Sequence, residues 1–225
     1  LLTSITGSET KQYTGYFSDN SVDIKVSVQS WVEEMLFNQK IGGEIGFNFL
    51  TQPTLKWQYS FSMADRYQPD TRTTTYETEP DETNYHLTSR AEGAVREYTN
   101  VTDYIHDGSA HITIPVFLFS ETSADFFDVG GQFLFRTRAT DSRSFRFDYV
   151  EGELDQDLLY TTDPEELFVP ANIEPSISHF RLQETTLATD NYTARQILAA
   201  GFVTCDLLLF GNLRVNGGVR YEYSD

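Results

Sequence analysis

The sequence predicts an all-β fold, a segment of a large antiparallel transmembrane β-barrel, and three observations lead to this prediction. Apolar and polar residues alternate over stretches longer than the strands of ordinary globular domains. Short connections alternate with long ones, as in barrels with short turns at one rim and long loops at the other. Aromatic residues are abundant, with 17 Phe and 13 Tyr, yet no apolar run is long enough for a transmembrane helix.

Two stretches of alternation precede residue 50. One face carries Val22, Ile24, Val26 and Val28. Another carries Ile41, Ile45, Phe47 and Phe49, opposed by Lys40, Glu44 and Asn48. The parity changes between residues 31 and 37, which predicts either a bulge within one strand or a turn between two strands.

The clearest strand begins at Leu55, just after a turn marked by Pro53. Its apolar face carries Leu55, Trp57, Tyr59, Phe61 and Met63. Its polar face carries Lys56, Gln58, Ser60 and Ser62. A further apolar face, opposed by His111 and Thr113, consists of Ala110, Ile112, Ile114, Val116 and Leu118. Strict alternation of this kind indicates strands with two chemically different faces.

Three strands are predicted in the second half of the chain. The strand over residues 129–149 has Phe133, Phe135, Phe145, Phe147 and Tyr149 on one face. The last strand has Leu213, Val215, Val219, Tyr221 and Tyr223 on one face. Residues 192–209 form another strand, but their weaker alternation does not assign its faces. Strands of this length exceed the 9–11 residues that cross a bilayer and can project beyond it.

The connections support the barrel prediction. Short turns are expected at about 50–54, 119–127 and 210–212. Long loops of about 40 residues are expected at 67–107 and 150–190. We therefore assign residues 1–225 to one barrel domain with about six long strands, and expect the chain to be an internal segment of a longer polypeptide.

Several of these stretches resemble the barrel of TonB-dependent outer-membrane receptors. The resemblance rests on residues 55–76 with Trp57 and Tyr59, on 128–138 with Gly130-Gly131, on 190–202, and on 213–222 with Gly217-Gly218. It extends over most of residues 35–225. The motifs are patterns of strand residues and contain no catalytic group, so they indicate a family and leave the transported ligand open.

The resemblance implies a 22-stranded barrel with an N-terminal plug, located in the bacterial outer membrane. About six strands cannot close such a barrel, and open sheet edges are not tolerated in hydrocarbon. The remainder of the barrel and the plug would therefore come from the rest of the polypeptide or from another chain. The implied partners are membrane lipid, lipopolysaccharide and TonB acting through the plug. The resemblance does not decide whether a surface lipoprotein caps the barrel.

The function implied by the resemblance is active uptake of a nutrient, with ligand captured by the long outer loops and passed through a TonB-gated barrel. One alternative is a passive or structural barrel, such as a porin or secretion scaffold. The other is a soluble, secreted β-sandwich that binds glycans through its aromatic residues. Such a module would leave a large apolar surface exposed on any long strand not packed on a second sheet.

No catalytic chemistry is predicted, so we expect neither an enzyme nor a cofactor. His86, His106, His111 and His179 lack metal-site spacing, and Cys205 lacks the sequence neighbourhood of a nucleophile. A formal net charge of −18 disfavours nucleic acid as a partner, because phosphate would be repelled.

Two sets of residues are candidates for binding. Five arginines share a parity opposite to the aromatic faces and are expected to face the lumen, where they could contact ligand or plug: Arg136, Arg138, Arg146, Arg214 and Arg220. In the acidic second loop, Glu153, Asp155 and Asp157 alternate oxygen ligands as calcium sites do, although the EF-hand Gly and terminal Glu are missing. The alternative interpretation of both sets is an ordinary hydrated polar surface.

Overall fold

The computed structural model describes residues 2–49, 51–91, 93–118, 125–149, 154–173 and 179–225. All nine strands in these ranges lie in a single antiparallel sheet, and they hold 72% of the described residues. The fold is therefore all-β, as the alternation predicted.

Seven strands are long and two are short. The long strands are β1 (Leu2–Phe17), β2 (Val22–Gly46), β3 (Thr54–Thr78), β5 (Ala94–Val116), β6 (Asp125–Asp148), β8 (Tyr192–Leu209) and β9 (Leu213–Ser224). The short strands are β4 (His86–Leu87) and β7 (Arg181–Glu184). Two four-residue helices, α1 (Gln156–Leu159) and α2 (Pro164–Leu167), and two 3₁₀ turns (Pro170–Asn172 and Ala188–Asp190) lie after β6. None of the described helices has the length and hydrophobicity needed to cross a membrane.

The long strands follow one another as a meander in the order β1-β2-β3-β5-β6-β8-β9, with β4 beside β3 and β7 beside β6. The connections 47–53, 117–124 and 210–212 meet at one end of the sheet, which we call the turn end. The connections 79–93 and 149–191 meet at the opposite end, the loop end. The short hairpin 18–21 also lies at the loop end.

The predicted number of long strands was too low, because β1 was not recognised. Thr, Ser, Gly and Gln dominate this strand, and it lacks a run of alternating apolar residues. Pairing with β2 over sixteen consecutive positions defines it instead. This is a tertiary contact that no pattern within residues 2–17 reveals.

The predicted loop at 67–107 was wrong over most of its length. β3 continues to Thr78 and β5 begins at Ala94, which leaves only 79–93 as the connection. Both strands extend beyond their hydrophobic alternation: the last third of β3 carries mainly Thr and charged residues, and the first third of β5 mixes polar, charged and apolar residues. The backbone hydrogen bonds between the strands continue in these parts, although apolar and polar side chains no longer alternate. The second connection, predicted at 150–190, runs between Asp148 and Tyr192, and its described part contains α1, α2 and β7.

The change of parity in β2 is explained by one continuous strand. β2 pairs with β1 without interruption, and the shift in register against β3 arises from an extra residue on β3 between Gln68 and Thr71. β3 therefore carries the bulge. Apolar residues of β2 change face along the strand: Val22 to Val28 lie on the side opposite to Ile41 and Ile45.

Candidate functional site: the two faces of the sheet

One face of the sheet carries an apolar band in register across six strands. A single row of cross-strand neighbours illustrates it: Ile45, Leu55, Ile112, Val129, Val203 and Val219 stand side by side. We call this side the apolar face and the opposite side the polar face. The band extends over 35–45, 55–63, 104–116, 127–137, 197–207 and 213–223.

No Asp, Glu, Lys or Arg occupies the apolar face within this band. Charges return on the same face directly beyond it towards the loop end, at Glu33, Asp65 and Arg195. Each strand contributes about the 9–11 residues that span a bilayer. The band therefore combines an uncharged composition with a height of about one strand crossing.

The side chains of the band are exposed or half-buried. Val219 and Tyr221 on β9 are 76% and 77% exposed. Aromatic side chains contact one another across the strands, as Phe61 does with Tyr104. His106 is a polar group near the loop-end edge of the band, and its Nδ1 lies 2.7 Å from the hydroxyl of Tyr59. This pairing satisfies both polar groups inside an apolar surface.

The polar face at the level of the band is charged and cross-linked by hydrogen bonds. The register places all five predicted arginines on this face, as their parity indicated. Lys40, Lys56, Asp107, Asp128 and Asp206 share it. The sheet thus separates an uncharged face from a charged one at the same height.

Arg136 and Arg138 converge on a single carboxylate. Arg136 donates from Nε to Oδ1 of Asp103 at 2.8 Å, and Arg138 donates from Nη2 to Oδ2 at 2.8 Å. The Asp103 side chain is only 8% exposed, while both guanidinium groups are far more accessible. Sequence reasoning missed Asp103, because it lies 33 residues from Arg136 and only the β5–β6 register brings them together.

The other three arginines have separate partners. Arg214 donates to Asp206 at 2.7 Å, and Arg220 binds Glu222 and the amide oxygen of Gln132. Arg146 lies higher, at the loop end, where it contacts Asp148 and Gln183 of β7. The structure therefore does not unite the five arginines in one site.

A cavity of about 570 Å³ opens on the polar face beside Asp103. Two adjacent rows of cross-strand neighbours supply most of its lining. One row is Ile5, Glu34, Arg66, Val101, Thr140 and Tyr192; the next is Thr3, Leu36, Ala64, Asp103 and Arg138. Residues of six strands border one cavity, so the sheet curves towards its polar face.

The long connection between β6 and β8 packs on the other side of the sheet. Its buried residues form a small core with the strand ends: Tyr76, Leu87, Ala94, Phe147, Leu154, Leu159, Leu167 and Phe180. Tyr76, Ala94 and Phe147 belong to the apolar face, above the band. The connection is thus held against the outside of the curved sheet. Burial raises the pKa of the Tyr76 hydroxyl, which stays neutral.

An ion-pair network borders this core. Asp70 accepts from Arg96 through Nε at 3.0 Å and Nη2 at 2.7 Å, and from Arg72 at 2.7 Å. Arg72 also reaches Glu165 at the start of α2. Burial raises the pKa of the Asp70 carboxyl, but the hydrogen bonds from Arg96 and Arg72 outweigh burial and hold that pKa below its usual range.

Two of the three proposed calcium ligands, Asp155 and Asp157, lie at the start of α1. Asp155 accepts from the backbone N–H of Asp157 and so begins α1. Glu153 lies outside the described residues. Within the described ranges, no group of three or more His, Cys, Asp or Glu side chains could hold a metal ion. His106 and His111 lie on opposite faces, as predicted.

No protein-family model, curated protein or solved structure matches this chain.

Proposed function

We propose that the chain is part of the wall of an outer-membrane β-barrel that takes up a nutrient actively, with gating by TonB through a plug. The main support for a location in the membrane is the uncharged apolar band, which is in register over six strands and has a charged face behind it. A soluble protein would cover such a surface with a second layer. All described strands belong to one sheet, so no second sheet covers it here.

The polar face would line the interior of this barrel. The sheet curves towards that face, and several of its charged side chains form ion pairs, as Arg136 does with Asp103 and Arg214 with Asp206. The described part of the connection 149–191 is packed on the outside at the loop end, so this part would leave the mouth of the barrel open. The protein would act by binding and conformational gating, without bond chemistry. The transport and TonB steps rest on the resemblance of the barrel strands described above.

A narrower, passive or structural barrel is the second candidate. The observation that favours it is the cavity bordered by both β1 and β8, because six neighbouring strands of a very wide barrel would be nearly flat. The two candidates differ in energy dependence. Uptake through a TonB-gated barrel stops when the proton-motive force is removed, whereas passive flow continues.

The decisive experiment combines membrane fractionation with uptake in a deletion strain. We expect the polypeptide in the outer-membrane fraction, extractable only with detergent, and loss of energised uptake of at least one nutrient on deletion. Recovery in the soluble fraction without detergent would exclude the barrel. Membrane location with uptake that survives an uncoupler would favour the passive barrel.

A further inference from the structure

The cavity on the polar face combines a surplus of positive charge with an apolar floor. Two guanidinium groups, those of Arg136 and Arg138, share the single carboxylate of Asp103. One positive charge is therefore left without a carboxylate partner at this point of the wall. Arg138 uses Nε and Nη2 on Asp103, which leaves Nη1 for another acceptor. A guanidinium binds carboxylate or phosphate oxygens especially well.

Apolar side chains contribute much of the remaining lining of the cavity. Ile5, Leu36, Ala64 and Val101 line it from four neighbouring strands. Ile5 is 61% exposed and Leu36 is 46% exposed, so their surfaces are available. Along the row that contains both, Leu36 stands three strands from Arg138, about 14 Å at the usual strand spacing. An extended Arg138 side chain shortens this gap to the length of a small ligand.

On the polar face, the remaining charged side chains of the cavity do not cancel the surplus, because Glu34 and Arg66 lie 3.6 Å apart and form a neutral pair. Asp65 and Met35 also border the cavity, but their parity places both side chains on the apolar face, so the charge of Asp65 lies on the other side of the sheet. Thr3, Thr140 and Tyr192 add hydroxyl groups. A volume of about 570 Å³ lies within the range of small-molecule sites.

From this arrangement we infer that the cavity binds a small amphiphilic anion, with its charged group on Arg138 and its short apolar part on Leu36, Ala64 and Val101. This inference rests on the proposed function, because the polar face lines an interior only in a barrel. A carboxylate and a phosphate monoester share the required chemistry. The site gives the interior wall a preference for one class of solute in an otherwise acidic chain.

The test is direct binding of hexanoate and of hexyl phosphate to the full polypeptide in lipid vesicles, with uncharged hexanol as the reference. We expect saturable binding of at least one anion and much weaker binding of hexanol. Arg138→Gln should weaken anion binding at least ten-fold. Arg146→Gln is the matched control, since Arg146 has the same face and strand but lies outside the cavity. It should leave binding within two-fold.

Equal anion binding by wild type and Arg138→Gln would overturn the inference, as would the absence of saturable binding. If the Arg138→Gln variant does not fold into vesicles, the Val101→Asp variant is measured instead. This substitution replaces an apolar side chain of the cavity with a charge that repels an anion. Wild-type affinity in Val101→Asp overturns the site. Binding needs no energy source, so energised uptake that survives deletion of the gene would count against the proposed active transport and leave this site standing.

Discussion

The indole of Trp57 lies directly against the backbone of Gly43, its partner across the β2–β3 ladder. A Cβ added at Gly43 would stand 2.9 Å from Nε1 of the indole and 3.1 Å from Cε2. Glycine at this position lets the large ring lie flat within the apolar band. The pair shows how the band accommodates aromatic residues without breaking the register.

Replacing Gly43 with valine should displace the ring of Trp57. We expect a loss of about 1–3 kcal/mol of stability, typical of overpacking, and a shift in the fluorescence of the tryptophan. Thermal unfolding and emission spectra would measure both effects. Gly108→Ala is the control, because Gly108 also lies on the apolar face and has no atom within 4 Å of an added Cβ. Unchanged fluorescence in Gly43→Val would contradict the contact.

A charge placed inside the apolar band should prevent stable insertion into the membrane. Val129→Arg is expected to cost about 2–4 kcal/mol if Val129 faces the middle of the bilayer. The yield of folded protein in the outer-membrane fraction measures this loss. Gln132→Arg provides the comparison, since Gln132 lies on the polar face of the same strand. Equal membrane yields for the two variants would argue against a lipid-facing band.

The carboxylate of Asp103 should stabilise β5 and β6 against each other. Asp103→Asn removes the shared charge and leaves two guanidinium groups side by side, at an expected cost of about 1–3 kcal/mol. Arg138→Gln should cost less, because Arg136 still holds the carboxylate. Denaturant unfolding of both variants tests this order. A larger loss for Arg138→Gln would mean that Asp103 is not the centre of the network.

Phe180 should decide whether the β6–β8 connection stays on the sheet. It is fully buried, packs edge-on against Tyr149 and contacts Phe168. Phe180→Ala is expected to cost about 3–5 kcal/mol within the local core and to release the connection. Limited proteolysis should then cut within 149–191 while the strands survive. Leu187→Ala, at an exposed position of the same connection, should digest like wild type.

Acid should loosen the same region through Asp70. The pKa of this carboxyl is lower in the folded protein than in the unfolded chain. Its stabilising contribution is therefore present in full above the unfolded value of about 3.9 and is lost as the pH falls from there through the folded value. Near-UV circular dichroism between pH 5 and pH 2 should show this loss. The Asp70→Asn variant should be less stable than wild type at pH 5, and its stability should not show the loss that comes from protonation of Asp70.

The alternation of apolar and polar residues located the strands wherever the two faces of the sheet differ in polarity. Residues 55–63, 127–137 and 213–223 showed it because one face is apolar and the other charged over the height of the band. The same pattern is absent from β1 and from the upper parts of β3 and β5. Polar and charged residues occur on both faces there, so strand pairing continues without a regular hydrophobic pattern.

The sequence by itself determined the all-β class, the common face of the five arginines and the position of the second long connection. These features depend on period-two patterns and on local turn residues. Only the tertiary structure decided that Arg136 and Arg138 share Asp103, that their cavity is bordered by six strands, and that the long connection packs outside the curve. Each depends on register and curvature between strands far apart in the chain, which the order of residues within one strand does not encode.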